Sequence, residues 1–414
     1  MKKIMLLFLL WIPSFYTQAQ DIGVYIKADG IYQTDFATEK KLNGGLIFKS
    51  PIVNQQGNYV AYTDTENKLY VQELNQEKYS QVVPVDKEVT DYVWSDGQLI
   101  FAKSEGGLFM YNPYDGSVTQ LINTDAKYAH FVVYDGMLYG TKYVKLKLNH
   151  EEINQMVGIV EVNLSTLVDR VLLPYVGNDE TKTDIEALGF VPQVAKLSDD
   201  GDVLYIWCKV NSGSLNADRV GLGYYDLKKN EFVEVKSVGM LGYSDQLDVN
   251  PRNAWEVVLI NGEGRIMNEN KQLDLLRLPN NELIGLGQSD MIYMTPSFSC
   301  NGNKVIFSAG AEQKGTYKPF TTGQNHIYEL NLESKESRQL TFEHDVFDFY
   351  PTYLSNDSFV FIRRYSNKTL DLIKRDKLGK ETIVASNLLS DGDNGYYGHL
   401  EIPQVLVIHC GGEV

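Results

Sequence analysis

What most constrains this chain is a unit that it spells out again and again. The unit is an apolar or aromatic strand, a tight turn of Asp, Asn and Gly, then a β-branched or aromatic strand. The clear copies are residues 51–62, 92–101, 131–139, 194–205, 296–307 and 351–361, and a degenerate copy runs through 247–259 around Trp255. Asp96-Gly97 and Asp135-Gly136 suit a two-residue hairpin turn, which needs positive φ at both central positions. Most copies precede a second hairpin, as at 69–74, 108–111, 159–162, 223–227 and 327–330. Closing strands follow, as at 118–121, 232–235 and 337–341. Two hairpins make one four-stranded antiparallel sheet. Long helical periodicity is nearly absent.

A sheet of this size cannot bury both faces alone, so the repeats must stack on one another. Radial stacking is the closed solution that leaves only short edges. The pattern therefore predicts an all-β chain: a β-propeller of seven or eight four-stranded antiparallel blades. Segments 23–27 and 30–34 read as outer strands lacking an inner pair, and 397–402 with 404–408 as inner strands lacking an outer pair. Joining them closes the ring with N- and C-terminal strands. The count is eight if the copy near Trp255 is a blade and seven if it is not. A side-by-side sandwich competes, but it does not require the same two-hairpin unit so often. Residues 178–188, acidic early and apolar late, predict a short surface helix. Together with 143–156 they lengthen the fourth blade.

The first residues read as an address. Lys2 and Lys3 precede an apolar run from Ile4 to Ile12, closed by Pro13 and a polar stretch. This is the layout of a secretory signal peptide, residues 1–19, with Thr17 and Ala19 suited to a cut before Gln20. The run is too short to span a bilayer, and no cysteine near the cut suggests a lipid anchor. The expectation is one propeller domain over 20–414, exported to the periplasm or beyond, soluble, monomeric and not inserted in a membrane. The formal charge of −16 becomes two units more negative once both lysines leave. It argues against nucleic acid, whose phosphates demand a basic surface, and favours neutral or basic partners. Cys208, Cys300 and Cys410 show no metal-ligand spacing. They read as inert thiols, with one disulfide open to them in an oxidising compartment.

A family resemblance rests on Ile327-Tyr328-Glu329-Leu330, on Arg338-Gln339-Leu340-Thr341 and on the stretch from Tyr350-Pro351 to Phe361. These resemble the TolB-like (WD40-like) propeller repeat, I-Y-hydrophobic…R-Q-L-T…P-x-x-S-P-D-G-x-x-I-x-F. Residues 296–307 are a second good match, and 51–62 and 193–205 are fair ones. Where the family has Ser-Pro-Asp-Gly, this chain has Ser-Asn-Asp-Ser, Ser-Cys-Asn-Gly or Ser-Asp-Asp-Gly, so it is a divergent member. The resemblance covers about two thirds of the chain after the leader. It implies the propeller fold and says little of function, since such repeats serve binding proteins and peptidase domains alike. Residues 390–412 are similar, more weakly, to the junction between propeller and hydrolase in prolyl oligopeptidase-type enzymes. There a strand ending in His-Gly-Gly opens the catalytic domain; here Cys410 stands between His409 and Gly411.

Chemistry is thinly marked. No H-E-x-x-H or G-x-S-x-G motif occurs, and neither acidic turn, 198–202 or 390–395, fits a calcium loop. The reading is no catalytic residue, no metal and no cofactor. The six histidines are scattered; His344, just after a closing strand, is the one placed to face a loop-lined end. His399 and His409 read as core-edge residues of the terminal strands. Aromatic residues in polar loops carry the remaining signal: Tyr114, Tyr317, Phe320, Tyr350, Tyr396 and Tyr397. Such rings suit protein interfaces and sugar stacking, with the 315–323 loop foremost. The expected function is an exported, non-catalytic propeller that binds a protein, peptide or glycan through Tyr317, Phe320, Tyr350, Tyr396, Tyr397 and His344. The alternatives are a propeller detached from a prolyl oligopeptidase-like peptidase, or a lyase- or lactonase-type propeller with a central metal.

Overall fold

The computed structural model describes residues 20–74, 81–148, 151–314, 324–389 and 399–410. Residues 1–19, the expected leader, lie outside them. Among the described residues no helix is long and apolar enough to cross a membrane.

Blade 2 shows how the repeat becomes a fold. Its strands Phe48–Val53, Tyr59–Asp64, Leu69–Glu73 and Gln81–Val82 hydrogen-bond in chain order. Strand side chains alternate between faces, and here both faces are covered. Val60 and Tyr62 enter a core shared with blade 1, whereas Tyr59 and Ala61 enter a core shared with blade 3. Blade 3 repeats the division: Leu99 and Phe101 pack towards blade 2, Ile100 and Ala102 towards blade 4. This is why the second strand of a blade reads as an unbroken apolar run instead of alternating with polar residues. Each buried Val, Leu or Phe side chain contributes roughly 1.5–3 kcal/mol.

Eight such cores exist among the described residues: seven each join two consecutive blades, and the eighth joins blade 8 to blade 1 through Tyr25, Val360, Ile362 and Leu406 and also takes in Ile292 and Met294 of blade 7. The ring therefore has eight blades. The degenerate copy is blade 6, built from Leu247–Val249, Glu256–Asn261, Gln272–Arg277 and Glu282–Gly285. Blades 7 and 8 are linked by a single parallel bridge, Asn325 to Phe347.

Closure differs in detail from the two-plus-two expectation. Three strands come from the start of the chain, Ile22–Lys27, Gly30–Thr34 and Glu39–Gly44, and only Leu406–His409 comes from its end. That strand pairs antiparallel with Ile22–Lys27, in the register Ile22 to His409 and Val24 to Val407. Pro403 explains the difference: residues Ile402–Gln404 form a 3₁₀ turn with proline in its first turn, where a ladder donor would be missing. The segment expected to form a short surface helix does so as a 3₁₀ helix, Asp184–Leu188. A short helix, Gly213–Asp218, capped by Ser212, was not foreseen. Blade 4 is long because its strands Met137–Leu148 and Glu151–Asn163 run on past the ring.

The turns behave as written. Asp96-Gly97 and Asp135-Gly136 hold φ of 47°, 76°, 46° and 68°. Each inner strand runs into its blade's first hairpin turn, so these turns gather at one end of the ring.

Candidate binding channel

The inner strands bound the central channel, and six of the eight carry a bulge at the same height. The register slips at Lys49/Ile52, Val89/Asp91, Ala129/Val132, Val194/Lys196, Met294/Ser297 and Phe349/Thr352. Ser50, His130, Thr295 and Tyr350 sit there with φ between 47° and 55°, a left-handed region that a β-branched Thr rarely adopts. Bulges free backbone groups from the ladder, and neighbouring blades satisfy them. The Tyr92 hydroxyl donates to the Ser50 carbonyl at 2.5 Å, the Phe131 N–H to the Asp91 carboxylate at 3.3 Å, and the Tyr350 N–H to the Thr295 hydroxyl at 2.9 Å. A belt of inter-blade hydrogen bonds thus girdles the channel.

Two cavities meet at Val132. The one near the entries to the inner strands holds about 410 Å³ and is lined by Asp91, His130, Gln193, Trp207, Tyr243 and Asp245, with His399, Glu401 and Gln404 across its mouth. Burial raises the Asp91 carboxyl to about 6. Burial, with Lys209 beside it, lowers His130, and burial lowers Lys209, whose ammonium donates to Gln193. His399 stacks on Tyr243 with 3.6 Å between ring centroids and 6° between planes, and its Nε2 lies 3.0 and 3.1 Å from the Asp245 carboxylate oxygens. Leu400 and Ile402 anchor the same segment in the core between blades 8 and 1. The end of the chain therefore crosses this mouth and is bound there.

At the hairpin-turn end the channel widens into a funnel of about 790 Å³. Trp94 and Tyr134 offer rings, and Asp96, Asp135 and Asp199 offer carboxylates. The Trp94 indole N–H is fixed by the Ile52 carbonyl at 3.1 Å. Tyr134 lies over Gly201, where a Cβ would stand 2.2 Å from its ring. Lys196, the basic residue of the wall, is paired with Asp248. Burial raises Asp199, with Asp248 and Asp200 adding to the effect and Lys196 opposing it.

Of the residues singled out from sequence, Tyr317, Phe320, Tyr396 and Tyr397 lie outside the described residues, as does the 315–323 loop. His344 is exposed between blades 7 and 8, and Phe342 beside it is 61% exposed. Tyr350 is not in a loop: it lies at the bulge of the inner strand Val346–Tyr353, and burial, with Asp245 and Asp248 nearby, pushes its hydroxyl well up. Tyr114 is exposed on a turn of blade 3, edge-on to Tyr59. His399, read as a core-edge residue, is instead a channel residue. The sequence does not single out Asp91, His130, Tyr243 or Asp245. They stand far apart along the chain, and only the ring brings them together.

No protein-family profile matches the sequence, and no curated protein matches it either. Solved structures do. Dipeptidyl peptidase 4 of Porphyromonas gingivalis superposes with a TM-score of 0.55 at 8% identity, over 91% of this chain and 58% of that one. A putative dipeptidyl aminopeptidase IV from Bacteroides ovatus gives 0.52 at 10% identity, over 92% and 60%. The chain is a β-propeller. It spans about three fifths of the length of those two peptidases, and at such low identity the likeness is one of fold. Putative TolB from Agrobacterium tumefaciens is also among the similar structures, with a TM-score of 0.36, 11% identity and coverage of 94% and 97%.

Proposed function

We propose that this propeller is an exported binding protein that receives a basic segment of a protein or peptide partner in the funnel at the hairpin-turn end. One observation carries the reading: three aspartates and two aromatic faces surround an open funnel whose basic wall residue, Lys196, is already engaged by Asp248. An ammonium or guanidinium entering there meets carboxylates to pair with and rings to lie against. Asp199, which burial holds above the usual carboxylate range despite Lys196 nearby, would gain a further cationic partner. The negative charge of the whole chain would speed the approach of such a partner. The alternative with a metal in the channel has no ligand set to build on among the described residues, where no three His, Cys, Asp or Glu side chains gather to hold an ion.

The test is titration of the full protein with a short peptide alternating Lys and Tyr, read by Trp94 fluorescence with Trp94→Phe as the control. Binding weakened about tenfold or more by Asp135→Asn with Asp199→Asn, and weakened by salt, supports the reading. Equal binding of an acidic peptide, or indifference to the two substitutions, overturns it. A neutral oligosaccharide that binds the same funnel in the peptide's place would move the reading to a glycan.

A further inference from the structure

Cys300 and Cys410 stand 110 residues apart in sequence and belong to different blades. Cys300 occupies the first hairpin turn of blade 7, and Cys410 directly follows Leu406–His409, the strand that closes blade 1. Blade 8 lies between them, yet the two thiols are within hydrogen-bonding reach of each other. Their shared surroundings are consistent with that. The Cys410 sulfur lies 2.9 Å from the carbonyl oxygen of Tyr353, in the inner strand of blade 8. Asp21, whose carboxylate takes hydrogen bonds from the Ser355 N–H and hydroxyl, acts on both sulfurs. Cys300 is exposed and Cys410 only partly so, whereas Cys208 is buried elsewhere, in blade 5. Among the described residues no third His, Cys, Asp or Glu completes a metal site with the pair.

We infer that Cys300 and Cys410 are the two halves of a disulfide that staples the ring-closing strand to blade 7 across blade 8. The roles of the two sulfurs follow from their settings. Cys300 is the exposed sulfur that a small disulfide can reach, which makes it the attacking thiolate; the neighbouring Cys410 thiol lowers it, while Cys300 and burial push Cys410 up. The oxidant is a small-molecule disulfide such as oxidised glutathione. The Cys300 thiolate attacks one of its sulfurs, breaks the S–S bond and expels one thiolate. Cys410 then loses its proton to solvent and attacks the Cys300 sulfur, expelling the second. The protein thiols lose two electrons and two protons, and the small disulfide is reduced to two thiols. The bond would close a loop of about a hundred residues and tie down the strand on which ring closure depends.

The experiment treats the purified full-length chain with oxidised glutathione, denatures it, counts thiols and maps peptides by mass. Free thiols falling from three to one, with one peptide pair spanning Cys300 and Cys410, is the expected result. Cys208→Ser should keep that pair and Cys300→Ser should abolish it. The oxidised protein should melt about 5 °C higher than the reduced one. Three persisting thiols, a glutathione adduct that stays on Cys300, or a pairing through Cys208 or between two chains each overturns the inference.

Discussion

The imidazole of His399 lies flat on the ring of Tyr243 and at the same time meets the carboxylate of Asp245, so one side chain moors the end of the chain to blades 5 and 6. His399 and Asp245 are 9% and 4% exposed, which makes the contact a buried one. Replacing His399 with Ala removes a stacked ring and leaves Asp245 without this partner. The expected cost is about 1–3 kcal/mol. Hydrogen exchange of residues 400–409 should rise by more than the global change accounts for, because the mooring is local.

Asp91 supplies a pH dependence whose sign is fixed by its position. Its folded pKa, about 6, lies above the unfolded carboxylate value. Between roughly pH 4 and 6 the folded chain holds a proton that the unfolded chain has lost. Stability contributed by this group is therefore present at low pH and is lost as pH rises through that window. Asp91→Asn keeps an acceptor for the Phe131 N–H and removes the ionisation. Denaturant titrations should find the variant more stable than the parent at pH 7 by on the order of 1–3 kcal/mol. The two should converge near pH 4.

Arg363 and Asp348 form a bidentate pair at 2.7 and 2.9 Å, with side chains 7% and 0% exposed, and Glu381 joins at 2.9 Å. Arg363→Ala strands a buried carboxylate and should cost about 3–5 kcal/mol by chemical denaturation. Replacing both partners with apolar residues of similar volume should recover most of that loss.

Lys271 is 1% exposed, and its ammonium donates to the carbonyls of Gly264 and Glu269, both at 2.8 Å. Burial lowers it to about 8. The loop that precedes the strand Gln272–Arg277 is thus gathered round a single donor. Lys271→Met leaves those carbonyls without it, at a cost of about 2–4 kcal/mol. Exchange protection over 262–270 should be lost first.

The architecture was largely written in the sequence, and the reason is local. A hairpin turn such as Asp135-Gly136 announces itself in two residues, and the strands beside it are short enough to see whole. Blade 6 left the count open between seven and eight, because Asn253 and Ala254 replace its turn signal. The expected strand 404–408 is present as Leu406–His409, whereas the described part of the expected strand 397–402 runs into the 3₁₀ turn Ile402–Gln404. The channel was much less legible. Asp245 and His399 are separated by 154 positions, and Asp91 and Gln193 by more than a hundred, so no spacing rule joins them. The bulges were hidden for a similar reason: Tyr350-Pro351 reads as a loop because proline cannot serve a ladder, yet proline is welcome where the ladder slips.

The six aligned bulges have a consequence for how such a protein can change. At these points the chain leaves the hydrogen-bond ladder, so the His130 side chain lines the channel cavity while neighbouring backbone groups bond across blades. The residues that keep the ring standing, such as Leu99, Phe101, Val60 and Tyr62, point elsewhere. Frame and fittings are separate. A descendant could be refitted for a different guest at the bulges while the eight wedges between its blades stayed as they are.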